Sequence, residues 1–390
     1  MTISENSSRL GKLVTISTAG EAAKAFIPPA LPPEPMVQMD KLYGPLERAN
    51  RALGRLDGIA SILPDTPLFL HMYIRKEALL SSQIEGTQSS LSDLLLFENE
   101  EAPGVPINDV VEVSNYVAAM NHGLERIRSG FPISLRLIRE IHEILLAKGR
   151  GATKQPGEFR HSQNWIGGTC PGNALFVPPP PETVLDLMSG LEAFIHADTP
   201  AVPTLVKAGL VHVQFETIHP FLDGNGRLGR LLITLLLCDN GILKEPILYL
   251  SLYFKTHRRY YYDLLQRVRE DGDWEAWIEF FLEGITETSL QAADAARQIL
   301  SLFEEDRAKI ESLGRPATSA LRVHQVLQQK PIIAIPDTAR ESGMSAPTVA
   351  KSIQHLRDLG LLREITGKQR GRMFVYSDYL GILSQGTEPI

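Results

Sequence analysis

The sequence predicts a mainly α protein: a helical core interrupted by a small β-hairpin, followed by a C-terminal winged helix-turn-helix domain. Three observations carry this prediction. Segments such as SLRLIREIHEILLAKG (134–149) and ETVLDLMSGLEAFIH (182–196) repeat apolar residues every three or four positions, the period of an amphipathic helix. One stretch, GEFRHSQNWIGGTCPGNALFVPPPPE (157–182), is rich in Gly and Pro and holds two short β-like runs, NWIGG and NALFV. After Gly314, Arg315 and Pro316 the pattern becomes helix, Gly-containing turn, helix and two strand-like runs.

Composition narrows the class. The 390 residues suffice for two or three domains. Apolar residues at 43% and charged ones at 22% fit a soluble globular chain. The formal net charge of -7 argues against wholesale wrapping of nucleic acid, yet leaves room for a local basic module. Two scattered cysteines, Cys170 and Cys238, suit a reducing cytoplasm. The start, MTISENSSRLGKL, lacks the apolar core of an export signal. The run Leu231 to Cys238 is far shorter than the ~18 residues of a membrane span. The expectation is a cytoplasmic protein with no membrane partner.

The elements follow in order. Residues 1–36, ending near PPALPPEP, read as an extended arm. From Met39 the pattern is mostly helical. Within KEALLSSQIEGTQSSLSDLLL, Ala78, Leu79 and Ile84 continue a helix that Gly86 ends. Ser90 and Asp93 read as a capping box opening the next. Glu85 therefore falls on a last helical turn, where the dipole is already negative; a cation from elsewhere would compensate. Ser134 and Thr183 are candidate N-caps. Between those two helices lies the hairpin, which Pro178 to Pro181 keep from growing into a sheet. Leu205, Ala208, Leu210, Val211, Phe215 and Ile218 mark a helix that Pro220 closes after His219. Another helix restarts within GRLGRLLITLLL and stops at Asn240-Gly241. Residues 273–313 form a long helical tract. Three units result: residues 1–107 (arm and helices), 108–313 (core) and 314–390 (winged helix-turn-helix).

The chemistry concentrates in HPFLDGNGRLGR, His219 to Arg230. Free N–H groups at a helix start, lined by glycines, form an anion cradle. Arg227 and Arg230 share one face of that helix and supply donors suited to phosphate. Asp223 at the mouth would repel phosphate unless a cation such as Mg²⁺ lies between. His219 can take a proton from a hydroxyl. These parts describe phosphoryl or nucleotidyl transfer. His212, Glu216 and His219 also share a helical face, so a zinc site is an alternative, although the spacing is not HExxH.

HPFLDGNGRLGR resembles the signature of the Fic family, HPFx[DE]GNGRxxR, in full. The resemblance implies an all-α core that binds ATP with Mg²⁺ and moves AMP to a Tyr, Thr or Ser hydroxyl of a target protein. On that basis His219 is the general base and Asp223 the Mg²⁺ ligand. Gly224, Asn225, Gly226, Arg227, Leu228, Gly229 and Arg230 form the ATP phosphate site. The hairpin is similar to the family's flap, with Ala174, Leu175, Phe176 and Val177 clamping the target backbone; FRxxQNWIGG and VPPPPE extend that match. Tyr261 and Tyr262 resemble positions near adenosine, with packing against the following helix as the alternative. SSQIEG resembles the family's inhibitory motif [ST]xxxE[GN], read as Ser81, Glu85 and Gly86. The implied brake is Glu85 on Arg230, in the place of the ATP γ-phosphate. The resemblance thus implies an autoinhibited protein adenylyltransferase that also modifies itself, and two-fold pairing into a homodimer is usual for such architectures.

The C-terminal unit carries nine basic residues, Arg322 to Arg372, against five acidic ones across 318–380. A locally basic helix-turn-helix is the footprint of DNA binding. Ser345, Thr348, Lys351 and Ser352 fall near the start of its second helix, where base edges are read, and GKQRGR forms a wing tip. Protein docking is the alternative use. A second functional reading is therefore a DNA-binding transcriptional regulator whose Fic-like core senses nucleotide.

Overall fold

The computed structural model describes residues 9–18, 20–60, 66–98, 107–198, 200–367 and 371–389. The expected arm is instead an antiparallel hairpin, β1 (Lys12–Thr18) and β2 (Glu21–Ile27), in register Lys12↔Ile27 to Thr18↔Glu21. Alternation in KLVTIST and a left-handed Gly20 (φ 80°) support it.

Helices follow. α1 (Met39–Ala60) buries Leu42, Ala49, Leu53 and Leu56 along the long α11 (Trp274–Glu311). α2 (Thr66–Ile84) ends at the expected Gly86, which takes φ 99°. α3 (Leu91–Glu98) opens with the expected capping box: the Ser90 amide donates to Asp93 Oδ2 (2.8 Å), and the Asp93 amide to Ser90 Oγ (3.2 Å). α4 (Ile107–Arg128), α5 (Leu135–Leu145) and α6 (Val184–His196) surround the centre. Ser134 caps α5 through the Leu137 amide; Thr183 stands at the N-cap of α6, but its hydroxyl donates to Pro180 O instead.

The centre is α7 (Thr204–Ile218) against α8 (Asn225–Asp239). Both are buried nearly all round, as expected of helices without a polar face. Each fully buried Leu, Val, Ile or Phe there stabilises by about 1.5–3 kcal/mol. α9 (Ser251–Thr256) and α10 (Arg258–Asp271) close the core before α11.

The C-terminal module runs α12 (Ala317–Gln329), β3 (Ile332–Ala334), α13 (Ile335–Ser342), α14 (Ala346–Asp358), β4 (Leu362–Glu364), β5 (Met373–Tyr376) and α15 (Ser377–Ser384). Its sheet has the antiparallel order β3-β5-β4. β3 and α15 are additions to the expected layout. Lys368, Gln369 and Arg370 of the expected wing tip lie outside the described residues. The module packs on the second half of α11: Tyr376 donates its hydroxyl to the buried Asp306 (2.6 Å), and Phe303 meets Tyr379 edge-on at 5.0 Å.

Candidate active site

The stretch from His219 to Arg230 is a tight loop stapled from several sides. Pro220 ends α7, and His219 takes left-handed geometry (φ 51°, ψ 60°), uncommon outside glycine. Its carbonyl accepts from Arg160 Nε (2.9 Å). Arg160, 1% exposed, also donates to Ile218 O and Pro179 O, so one guanidinium ties α7 to the end of the flap. Asn164 Nδ2 donates to Phe221 O (3.0 Å). The Asn225 side chain accepts from the Phe221 amide (2.9 Å) and donates to its carbonyl (2.8 Å). Phe221 stacks on His142 at 3.6 Å. His142 Nδ1 accepts from the Gly157 amide, so its Nε2 bears the proton given to Asp223 O (3.0 Å). Burial pushes the His142 pKa down to about 4, keeping it neutral.

The loop delivers the start of α8 to a cavity of about 210 Å³. Glu85, Arg150, His219, Asp223, Gly226 and Arg227 are among its walls. Gly224 caps α8 at φ 77°, and the first amides of the helix have no intrahelical partner. Arg227 is buried; Nη1 meets Glu112 Oε2 at 3.2 Å and Nη2 meets Asp223 Oδ1 at 3.5 Å, while Nε has no partner. An orphaned guanidinium N–H beside open helix amides suits an anion. Glu112, fully buried, also holds Arg150 Nε at 3.1 Å, so one carboxylate clamps two guanidiniums. Asp223 accepts from the Gly224 amide (2.6 Å) and stays one-third exposed at the mouth.

Ser81 and Glu85 of the SSQIEG motif sit beside this cavity. Arg230 Nε donates to Ser81 Oγ (2.9 Å), and Nη2 to Ser81 O (3.0 Å) and Glu85 Oε1 (2.6 Å). Burial alone would raise the Glu85 pKa, but Arg230 outweighs it and holds the carboxyl below its usual value. Gly226 makes room: a Cβ there would lie 2.3 Å from Glu85 Oε1. The cation inferred as necessary at the end of α2 is thus Arg230.

Burial, then the charges of Arg269 and Arg160, push His219 down to about 4. The imidazole is therefore neutral near pH 7, and its Nδ1 has no partner. His212 spends Nε2 on the Tyr261 hydroxyl (2.8 Å). No group of three His, Cys, Asp or Glu suited to a metal occurs among the described residues, so His212, Glu216 and His219 do not assemble one. Tyr261 is fully buried between Phe254 and His212 and packs rather than lining a site; Tyr262 keeps 41% of its surface exposed.

The expected hairpin is smaller than two strands: one antiparallel bridge joins Ile166 and Phe176. Leu175 projects into solvent, 79% exposed, while Phe176 and Val177 are buried and Arg269 lies 3.9 Å over the Phe176 ring. β2 runs alongside, with the Phe26 amide donating to Val177 O (2.9 Å). Between hairpin and flap lies a groove of about 680 Å³, lined by Leu13, Lys24, Phe26, Leu175 and Arg269 among others.

Residues 43–125 match the Fic/DOC family N-terminal model, and residues 132–237 match the Fic/DOC family model. The chain thus carries both of these Fic/DOC family domains. A protein named protein adenylyltransferase Fic from Aedes aegypti is 32% identical over 246 residues, 61% of this chain and 46% of the relative. One of the same name from Drosophila willistoni is 28% identical over 309 residues, 77% of this chain and 54% of the relative. The Fic chain thus spans about half the length of the curated relatives it matches. A Fic family protein from Desulfovibrio desulfuricans shares the fold at TM-score 0.56 and 18% identity, covering 88% of this chain and 98% of its own. No helix among the described residues is long and apolar enough to cross a membrane.

Five Fic-core residues escaped the sequence reading as individuals: Glu112, His142, Arg150, Arg160 and Asn164. Two carried a signal, since Arg160 and Asn164 lie inside the quoted FRxxQNWIGG. Arg150 stands between two glycines after a helix, a place where a cation near phosphate is worth asking about. Glu112 and His142 sit in helical patterns and look there like ordinary polar positions.

Proposed function

We propose that this chain is a protein adenylyltransferase that moves AMP from ATP to a Tyr, Thr or Ser hydroxyl of a target protein and of itself, held off by Glu85 on Arg230. One observation carries the reading: His219, the start of α8 and Arg227 line one cavity, and Glu85 enters that same cavity. At about 210 Å³ the cavity is below the roughly 300–1,000 Å³ of sites for drug-sized ligands. With the carboxylate withdrawn, Arg230 and the space before Gly226 become available to a phosphate.

In the proposed reaction His219 takes the proton of the target hydroxyl. The hydroxyl oxygen bonds to the α-phosphorus as the bond from that phosphorus to its bridging oxygen breaks, and pyrophosphate leaves. A positioned base contributes ~10²–10⁴-fold. The α8 amides and Arg227 fix the phosphates, and Arg150 at the rim is read as a further phosphate contact. Asp223 would hold Mg²⁺ together with the phosphates, an arrangement that needs only one or two protein carboxylates. The ion would offset phosphate charge when bound. An extended stretch of target is read as lying along the flap, beside the groove shared with β1 and β2.

The test is incubation with labelled ATP and Mg²⁺, comparing the parental chain with Glu85→Gly. Label should accumulate on the variant. Calorimetry finding no nucleoside triphosphate bound to either form overturns the reading, and ATP bound without any transfer favours the nucleotide-sensing regulator.

A second role, DNA contact by the C-terminal module, is supported by one cleft. Exposed Thr348 and Lys351 line it with Arg315 and the half-buried His355. Ser345 caps α14 and Ser352 is buried, so neither hydroxyl is spare for a base edge in the way expected. A mobility-shift assay on the full chain checks this; binding that ignores salt argues against phosphate contact. The two free thiols, Cys170 and Cys238, agree with the proposed cytoplasmic site, and light scattering tests the proposed homodimer.

A further inference from the structure

The last turn of α2 works on two faces. Glu85 points from one towards Arg230. Gln83, two residues earlier and 1% exposed, points from the other. Its Nε2 donates to Ser89 O (2.9 Å) and to Thr387 O (2.8 Å), and its Oε1 accepts from Lys255 Nζ (2.7 Å). Lys255, on α9, also donates to Gly386 O (3.2 Å) and to Glu388 O. Thr387 is 3% exposed and returns its hydroxyl to Ser384 O (2.8 Å). Three segments far apart in sequence therefore close one hydrogen-bonded knot. Gly386 permits the turn that brings the third segment in: its φ is 76°, and a Cβ there would stand 2.8 Å from Leu252 Cδ1 on α9.

We propose that residues 385–389 are a latch on the inhibitory turn, so that the C-terminal module sets how often Glu85 leaves Arg230. Helix ends lack intrahelical partners and fray first. The Glu85 carboxylate is one-third exposed, so the other face of its turn needs a tether to keep it seated. The knot at Gln83 is that tether. α15 follows β5 without a break and packs on α2 and α3. A ligand that shifts the small sheet therefore acts on Thr387 through one short helix. What the latch releases rests on the adenylyltransferase reading; the latch itself does not.

Hydrogen–deuterium exchange tests it directly, comparing the full chain with a chain ended after Ser384. Amides of residues 83–88 should exchange about ten times faster in the shortened chain, with α7 unchanged. Lys255→Met and Gly386→Ala serve if the shortened chain does not fold. Unchanged exchange at 83–88 in any folded variant overturns the latch. Latch variants should also raise AMP transfer in the parental chain but add nothing in Glu85→Gly, because both act through the same contact. An equal rise in both backgrounds overturns it as well. If Glu85→Gly binds no nucleotide, the adenylyltransferase reading falls while the exchange result still decides the latch.

Discussion

His219, the proposed base, is kept neutral by what surrounds it. Burial and two nearby guanidiniums lower its pKa to about 4, so the neutral form dominates well below pH 6.5. A base whose pKa is lowered loses function only as pH falls through that lower value. For Glu85→Gly, kcat/KM for transfer should therefore stay flat from pH 8 down past the usual histidine midpoint; an acid limb centred near 6.5 argues against His219 as placed. His219→Ala should cut transfer ~10²–10⁴-fold while ATP affinity by calorimetry changes little. Arg150 makes a graded prediction. Its guanidinium is half exposed, so Arg150→Ala should weaken ATP only about fivefold, with AMP affinity unchanged, measured on Glu85→Gly. Equal losses for both nucleotides would place Arg150 away from the outer phosphates. Much at this scale was legible: His219, Asp223 and Arg227 meet as the spacing suggested. The supporting residues were not, because Glu112 and His142 act across 115 and 81 residues of chain, a separation that local pattern cannot reveal.

At the scale of elements, the end of α2 and the start of α8 compete for one space. The charge argument at Glu85 was legible from the helix end alone, since a carboxylate there needs a cation. Gly226 is the point of exclusion. Gly226→Ala should displace Glu85, yet it also fills the proposed phosphate cradle. Unlike Glu85→Gly, it should give no gain in labelling; a gain comparable to Glu85→Gly would mean the cradle is elsewhere. The Glu85 pKa is held low, so the bridge persists above the ordinary carboxylate range and is lost only in acid. Moving from pH 8 to pH 6 should therefore leave the parental chain equally inhibited, read as auto-labelling. The flap was overread as two strands, because its five prolines and four glycines in 157–181 leave only one bridging pair.

At the scale of the whole molecule, α11 decides the organisation. At 38 residues it spans about 57 Å and serves both the core and the C-terminal module. The sequence marked a boundary at Gly314 on good local grounds, since the helix does break there. Tertiary contacts cross that break, and local composition does not report them. Asp306→Ala should destabilise by about 1–3 kcal/mol in a denaturant titration, because the Tyr376 hydroxyl loses its buried partner. The hairpin β1–β2 was missed for a related reason: its stability comes from lying against the flap and the core rather than from its turn. Asp306 carries a practical warning for anyone dissecting the protein. An excised piece beginning near residue 315 would surrender Phe303 and Asp306, baring the aromatic seam of Tyr376 and Tyr379 to water. Failure of such a fragment to grip DNA would then reflect a ruined surface, so the intact polypeptide is the proper reagent.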